Sequence, residues 1–300
     1  MKNTLTDNYG RVIKSLRISI TKKCNLNCIY CHQEGESLSQ SHEMSPETIA
    51  KIVTAATEFG VDKVKFSGGE PLMREDFEKI IAGMPDLRNI SATTNGVLLS
   101  RRAAALASSG LDRVNISLPS TNKEHYGAIT GSPDMLPRVI EGINAAIDAG
   151  LTPVKLNMVL LKGINNSEID DAIKFIAGYD GNVILQLIEL MNFRDISRFM
   201  VDIDGVEKML EGRATRVNER EMHRRKKYFI DGVEVELVRP IDNSRFCSNC
   251  NRLRVTSGGK LKPCLMRNDN LIEVKEDSSQ EEIKERLMEA VRIREPYYRE

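Results

Sequence analysis

Six cysteines fall in two groups of three, and the first group is the tightest chemical feature of the chain. The stretch Thr21-Lys22-Lys23-Cys24-Asn25-Leu26-Asn27-Cys28-Ile29-Tyr30-Cys31 sets Cys24, Cys28 and Cys31 at C-x3-C-x2-C, straight after a short apolar strand. Three thiolates this close in sequence can wrap one inorganic cluster with little loop-closure cost. A cluster of the 4Fe-4S type normally takes four thiolates, one per iron. Three leave one iron without a protein ligand, open to a small molecule. Zinc prefers four nitrogen or sulfur ligands, commonly in paired C-x2-C arrangements, so this spacing suits it poorly; buried free thiols are the bland alternative. The second group, Cys247-x2-Cys250-x13-Cys264, again offers three thiolates. The four histidines (His32, His42, His125 and His223) lie elsewhere in sequence. On spacing alone, a second open cluster and a zinc site both stay open there.

Two further stretches carry chemistry. Ser67-Gly68-Gly69-Glu70-Pro71 sits where a strand ends and a helix begins. Its glycines let backbone approach a ligand closely, and Glu70 can accept hydrogen bonds from an ammonium; a Gly-Gly pair is also the mark of an ordinary turn. Asn251-Arg252-Leu253-Arg254 is threaded between the last two cysteines. On a strand, Arg252 and Arg254 face the same side, and guanidinium forks suit phosphate oxygens.

These groups need a scaffold, and the chain supplies one. Leu16-Arg17-Ile18-Ser19-Ile20 alternates apolar and polar with period two, as a half-buried strand does. The alternation returns at 64–67, 90–93, 114–118 and 154–158, and Val183 to Glu189 makes a sixth, more uniformly apolar strand. Helical patterns lie between them, at 46–59, 74–83, 100–109, 135–149 and 166–177. This repetition predicts an α/β fold with a parallel sheet. If the apolar faces meet outer helices, Arg17, Ser19, Lys65, Ser67, Ser91, Thr93, Asn115, Ser117, Lys155 and Asn157 point inward. A complete eight-stranded barrel fills its interior with bulky branched side chains. A polar, cationic interior instead predicts a partial (β/α)6 TIM-like barrel, open around an anionic ligand. The competing arrangement, a sheet with one face in water, is unusual for parallel strands.

The strand–helix rhythm stops after Asn192. A helix at 197–211 and the basic run Arg224-Arg225-Lys226-Lys227 follow, and then a hairpin turning at Asp231-Gly232 and a closing helix at 280–292 form a C-terminal α+β extension. The basic run reads as a solvated face. The expected division is 1–227 for the barrel and 228–300 for an extension carrying the second iron–sulfur cluster.

Composition sets the outer bounds. With 43 basic and 43 acidic residues the net charge is zero, which argues against a nucleic-acid or membrane-surface binder while allowing a locally basic cavity. No apolar run is long enough for a membrane span, and the polar N-terminus does not resemble a signal peptide. Clustered cysteines in a chain of this length do not read as a disulfide framework. A reducing, cytoplasmic setting is expected.

The cysteine loop with Tyr30 before its last thiol, followed by the Gly-Gly-Glu-Pro turn, resembles the radical S-adenosylmethionine (SAM) enzymes. Leu16 to Thr21, Ser67 to Leu72, Thr93-Thr94-Asn95-Gly96, Val114 to Leu118, Lys155-Leu156-Asn157 and Cys247 to Arg254 are similar to one family within them, the GTP 3′,8-cyclases of molybdenum cofactor biosynthesis. The resemblance runs from Arg11 to about Cys264. It implies two 4Fe-4S clusters, on Cys24, Cys28 and Cys31 and on Cys247, Cys250 and Cys264. The open iron of the first would chelate SAM, whose cleavage yields a 5′-deoxyadenosyl radical. Tyr30, Gly69, Glu70, Ser117 and Met191 fall on the SAM-contacting positions, and Arg17, Lys65, Thr93, Lys155, Arg252 and Arg254 on the GTP-binding ones. The implied partners are GTP, an electron donor and a downstream enzyme that forms the cyclic pyranopterin. Two departures stand out: the chain ends Pro296-Tyr297-Tyr298-Arg299-Glu300 where relatives often carry Gly-Gly, and Gln186 stands where many carry arginine. A peptide-modifying radical SAM enzyme would not need the arginines between the last cysteines. A non-catalytic metal module would leave the inward lysines unexplained.

Overall fold

The computed structural model describes residues 4–36, 42–193, 195–241 and 243–297. The closing Tyr298-Arg299-Glu300 therefore lies outside the described residues. In chain order the elements are β1 Ser15–Ser19, α1 Pro46–Glu58, β2 Lys63–Ser67, α2 Phe77–Ala82, β3 Asn89–Thr94, α3 Leu99–Ser108, β4 Arg113–Ser117, α4 Lys123–Thr130, α5 Leu136–Asp148, β5 Val154–Val159, α6 Ile169–Ala177 and β6 Val183–Ile188. The C-terminal part adds α7 Ile203–Arg213, β7 Arg216–Glu219, β8 Lys226–Ile230, β9 Val233–Val238, α8 Ser244–Ser248, β10 Arg252–Val255, β11 Lys260–Lys262, β12 Ile272–Glu273 and α9 Gln280–Arg292.

Strands β1 to β6 are neighbours in sequence order and parallel, the expected (β/α)6 partial barrel. The extension continues the same sheet at both edges. Strand β10 pairs parallel with β1 and leads on to β11 and β12, while β9 pairs parallel with β6 and leads on to β8 and β7. Register sets the cations side by side: Arg254 opposite Arg17, and Arg17 opposite Lys65.

Strand parity holds. Leu16, Ile18, Val64, Phe66, Ile116 and Leu156 are buried in the core beneath the helices, while Arg17, Lys65, Ser91, Asn115, Lys155 and Asn157 line an interior cavity. Helix α5 shows why the outer layer stays in place. Its Leu136, Val139, Ile143 and Ala146 are buried along one face, and each larger side chain of that kind contributes about 1.5–3 kcal/mol.

Helices α2, α6 and α7 start later than the sequence pattern puts them, and α4 has no counterpart in that pattern. Helix α2 begins at Phe77 because Arg74 is spent on tertiary contacts: its guanidinium donates to Ile20 O (2.8 Å) and Met44 O (2.7 Å) and pairs with Asp76. That locks the chain where it leaves β1. Helix α7 begins at Ile203, capped by Asp202, whose Oδ1 accepts from Gly205 N. Helix α4, short and polar, was invisible to periodicity; Asn122 caps it by accepting from Glu124 N and His125 N.

Candidate active site

The first cysteine loop sits beyond the C-terminal end of β1 and is clamped from below by the Gly-Gly turn after β2. Gly69 N donates to Thr21 O (2.8 Å) and Glu70 N to Lys23 O (2.7 Å). A Cβ on Gly68 would stand 2.2 Å from Thr21 O, and one on Gly69 2.2 Å from Lys23 O. The glycines thus serve backbone-on-backbone docking of the cysteine loop, an immediate reason for them that the sequence did not reveal. Glu70 is fully buried. Its carboxylate accepts from Thr94 Oγ1 (2.7 Å), Leu72 N (3.0 Å) and Asn95 N (2.6 Å), lacing the β2 loop to the β3 loop. Burial pushes its carboxyl up to about 7 against the pull of those donors. Asn95 in turn donates to Asn25 Oδ1 and lies 4.0 Å from Cys24 Sγ. Tyr30 packs beside Ile129, Leu161 and Leu190, and its hydroxyl bonds the Cys28 thiol.

The three thiols suit a cationic centre. Burial, then the neighbouring Cys31 and Cys24, pushes the Cys28 thiol up to about 12. Thiolates crowded in this way are relieved by a metal centre, which deprotonates coordinating sulfur outright. Among the described residues no three His, Cys, Asp or Glu side chains converge as ligands of a single ion; a cubane cluster takes its thiolates at separate irons.

The second triad lies at the other end of β1. Asn251, which follows Cys250, accepts from Lys14 N (2.9 Å) and Ser15 N (3.2 Å) at the start of that strand. Five residues of β1 separate the two ends, about 15 Å at strand rise. Cys247, Cys250 and Cys264 all line the interior cavity, whose volume is about 520 Å³. Burial opposes ionisation of the Cys250 thiol, but Arg294 and Arg252 outweigh it and bring the thiol below its usual value. That direction favours the thiolate form, the one a metal needs.

Thirteen lysines and arginines line this cavity against two glutamates, although the whole chain is neutral. Among the proposed nucleotide contacts, Arg17, Lys65, Lys155, Arg252 and Arg254 are in the lining. Thr93 is half-buried just behind, 3.4 Å from Arg17 Nη2. Met191 lines the cavity, and Ser117 is half-buried at the C-terminal end of β4.

Two buried carboxylates hold part of this charge. Glu34 sits between Arg254 (2.5 Å) and Arg17 (3.7 Å). Burial works against its ionisation, but the two guanidiniums prevail and keep the carboxyl well below the ordinary range. Glu236 on β9 meets Lys155 (2.6 Å), Arg220 (2.8 Å), Arg225 (3.4 Å) and Gln186 Nε2 (2.5 Å). Gln186 therefore has a structural partner of its own. By contrast Arg252 and Lys65 have no carboxylate within ion-pair distance among the described residues. Burial, then Arg17 and Arg254, lowers the Arg252 guanidinium well below its usual range; burial, then Arg17 and Arg252, does the same to the Lys65 ammonium. Among the described residues, Lys65 Nζ donates one hydrogen bond, to Asn115 Oδ1 (2.9 Å).

Sequence reasoning missed some of these cations. The basic run at 224–227 is not wholly a solvated face: Arg225 is largely buried, lines the cavity and leaves its Nε without a partner. No local signal marked it: Glu236, the acid it pairs with, is one of two glutamates alternating along Val233–Val238, and only the fold separates it from Glu234 by burying it.

The fold and the laced loops define the class. The signature of the Radical SAM superfamily matches residues 18–176, and that of Molybdenum Cofactor Synthesis C matches residues 183–300. The chain is thus a radical SAM protein, with the SAM and iron–sulfur chemistry of that superfamily. Within it the chain belongs to the GTP 3′,8-cyclase family. A probable GTP 3′,8-cyclase of Methanosarcina acetivorans is 59% identical over 98% of this chain and 90% of that protein. Another, of Methanocella arvoryzae, is 51% identical over 98% and 95%. Among solved structures, Streptococcus suis SuiB bound to S-adenosylmethionine superposes with a TM-score of 0.65 at 16% identity, over 88% of this chain and 64% of the SuiB chain. Native anSMEcpe with bound AdoMet gives 0.59 at 18% identity, over 90% and 79%. At these identities the likeness is one of fold.

Proposed function

We propose that this chain rearranges GTP to 3′,8-cyclo-7,8-dihydro-GTP, as the name of its relatives implies, with SAM and two 4Fe-4S clusters. Cys24, Cys28 and Cys31 would hold one cluster and Cys247, Cys250 and Cys264 the other. When bound, the first cluster supplies the electron that cleaves SAM reductively. The chain's own work is to hold the two small molecules. Tyr30, Gly69, Glu70, Ser117 and Met191 define the SAM end, near the cysteine loop. Arg17, Lys65, Thr93, Lys155, Arg252 and Arg254 hold the triphosphate, and the second triad faces the base. A hydrogen leaves ribose C3′, a bond forms to guanine C8, and one electron with one proton from the donor completes an isomer of GTP. Fixing C3′ beside its hydrogen acceptor is a positioning problem, and keeping competing solvent away protects the radical. An electron donor and a downstream pyranopterin-forming enzyme complete the pathway. In this reading residues 1–227 form the partial-barrel core and residues 228–300 carry the second cluster. No helix among the described residues is long and apolar enough to cross a membrane, and a cytoplasmic site of action fits this chemistry.

The observation that carries the reading is the pair of half-buried cations without a carboxylate, Arg252 and Lys65, in a cavity edged by three thiols. Anaerobic turnover of reconstituted protein with SAM, dithionite and GTP tests it by mass analysis. A new isomer of GTP together with 5′-deoxyadenosine is expected; deoxyadenosine with unaltered GTP would remove the substrate from the proposal.

The lowered ammonium groups also give a pH dependence. Burial lowers Lys65 well below its usual range, and Lys155 is pushed down to about 8, by burial against the pull of Glu236. A triphosphate restores their charged forms, so binding takes up protons and affinity falls as pH rises from about 7.5 to 9.5. Over that window the terminal phosphate is already ionised. Calorimetry in two buffers of different ionisation heat should register net proton uptake; release, or no coupling, would contradict it.

A further inference from the structure

The second triad is braced by groups from both ends of the chain. Asp7 is fully buried, and its Oδ2 accepts from Arg11 Nε (2.7 Å) and from Arg294 Nη1 (2.7 Å). Each arginine then donates to the carbonyl of a triad cysteine: Arg11 Nη1 to Cys247 O (3.0 Å), and Arg294 Nη2 to Cys250 O (2.6 Å). Both guanidiniums are almost fully buried, at 5% and 1% exposure. Stability alone is a poor reason for this arrangement. Two buried cations share one carboxylate, and well-packed apolar residues stabilise as much or more. The arginines also leave donors unspent, since Arg11 Nη2 and Arg294 Nε are buried with no partner. Both residues line the cavity together with the three thiols. Hydrogen bonds to sulfur and net local charge are the levers that set iron–sulfur potentials.

We propose that Arg11 and Arg294, bridged by Asp7, are positioning residues that fix the second cysteine triad and raise the reduction potential of the cluster bound there. This rests on the reading that Cys247, Cys250 and Cys264 bind a cluster. The brace carries two positive charges and one negative, so its members have opposite effects. Removing an arginine charge disfavours the more negative, reduced cluster, and removing the Asp7 charge favours it.

The test is a redox titration of the full, anaerobically reconstituted chain, followed by electron paramagnetic resonance. Added SAM perturbs the first cluster's signal and so identifies it; its potential serves as internal reference. In Arg294→Gln the second cluster's reduced-to-oxidised ratio at fixed potential should fall about tenfold, 59 mV for a one-electron couple. In Asp7→Asn it should rise, and Arg294→Lys should stay near the wild type. If Asp7→Asn loses iron at that site, the Arg11→Lys and Arg11→Gln pair decides instead, with the potential kept in the first and lowered in the second. Unchanged potentials, or shifts of one sign whatever the charge removed, would overturn the proposal. Wild-type protein holding iron for only one cluster would overturn the second-cluster reading itself, before any variant is made.

Discussion

Cys28→Ala should abolish 5′-deoxyadenosine formation and about half the iron, whereas Cys250→Ala should lose the other half and still cleave SAM without altering GTP. The two triads sit at opposite ends of β1, and only the first is laced to the Gly-Gly-Glu-Pro turn. Removing Cys28 deletes a ligand from a set that already lacks a fourth thiolate, so a drop to background in SAM cleavage is expected. Removing Cys250 leaves the Glu70–Thr94–Asn95 lacing untouched. Cyclised product should then fall by more than about a thousandfold, because productive positioning contributes that much or more. Iron and sulfide analysis alongside product assays reads both arms. Full cyclisation by Cys250→Ala would remove the second triad from the mechanism.

Arg252→Ala should weaken GTP binding about 30-fold while SAM cleavage persists. The loss corresponds to about 2 kcal/mol, the range for a hydrogen bond between charged groups. Arg252 is the cleaner half of the arginine pair. Arg254 also holds Glu34 at 2.5 Å, so Arg254→Ala strands a buried carboxylate and destabilises the fold as well. Arg252 has no carboxylate of its own and sits beside Arg17 and Arg254, with the Cys250 sulfur as its one countering neighbour among the described residues. Its removal relieves repulsion in the free protein, so the thermal midpoint should hold or rise. Equilibrium binding with guanosine as a control separates the phosphate from the base: guanosine affinity should change little. Equal losses for both ligands would move Arg252 away from the triphosphate.

What could be read from the chain alone was whatever depends on short-range pattern. Period-two alternation put Arg17, Lys65 and Lys155 on the cavity side of their strands, and cysteine spacing marked both triads. What escaped was charge balance made by residues far apart in sequence. Glu34 meets Arg254 across 220 positions, and Asp7 meets Arg294 across 287. Nothing local to Asp7 or Glu236 announces a buried carboxylate until the sheet brings its cations. The same limit hid Arg225, which looks like one of four surface charges until β9 presents Glu236.

The manner in which the sheet is finished has a consequence for the making of the protein. A chain stopped after β6 would leave both flanks of a parallel sheet bare, and bare flanks invite pairing with other chains. The strands that cover them, β9 and β10, arrive late in synthesis and carry Glu236, Arg252 and Arg254. Protection from aggregation and recognition of the polyanion are therefore completed by the same segment. A nascent chain is most vulnerable until that segment emerges, and a truncation that spares every residue of the first cysteine loop still forfeits solubility along with substrate.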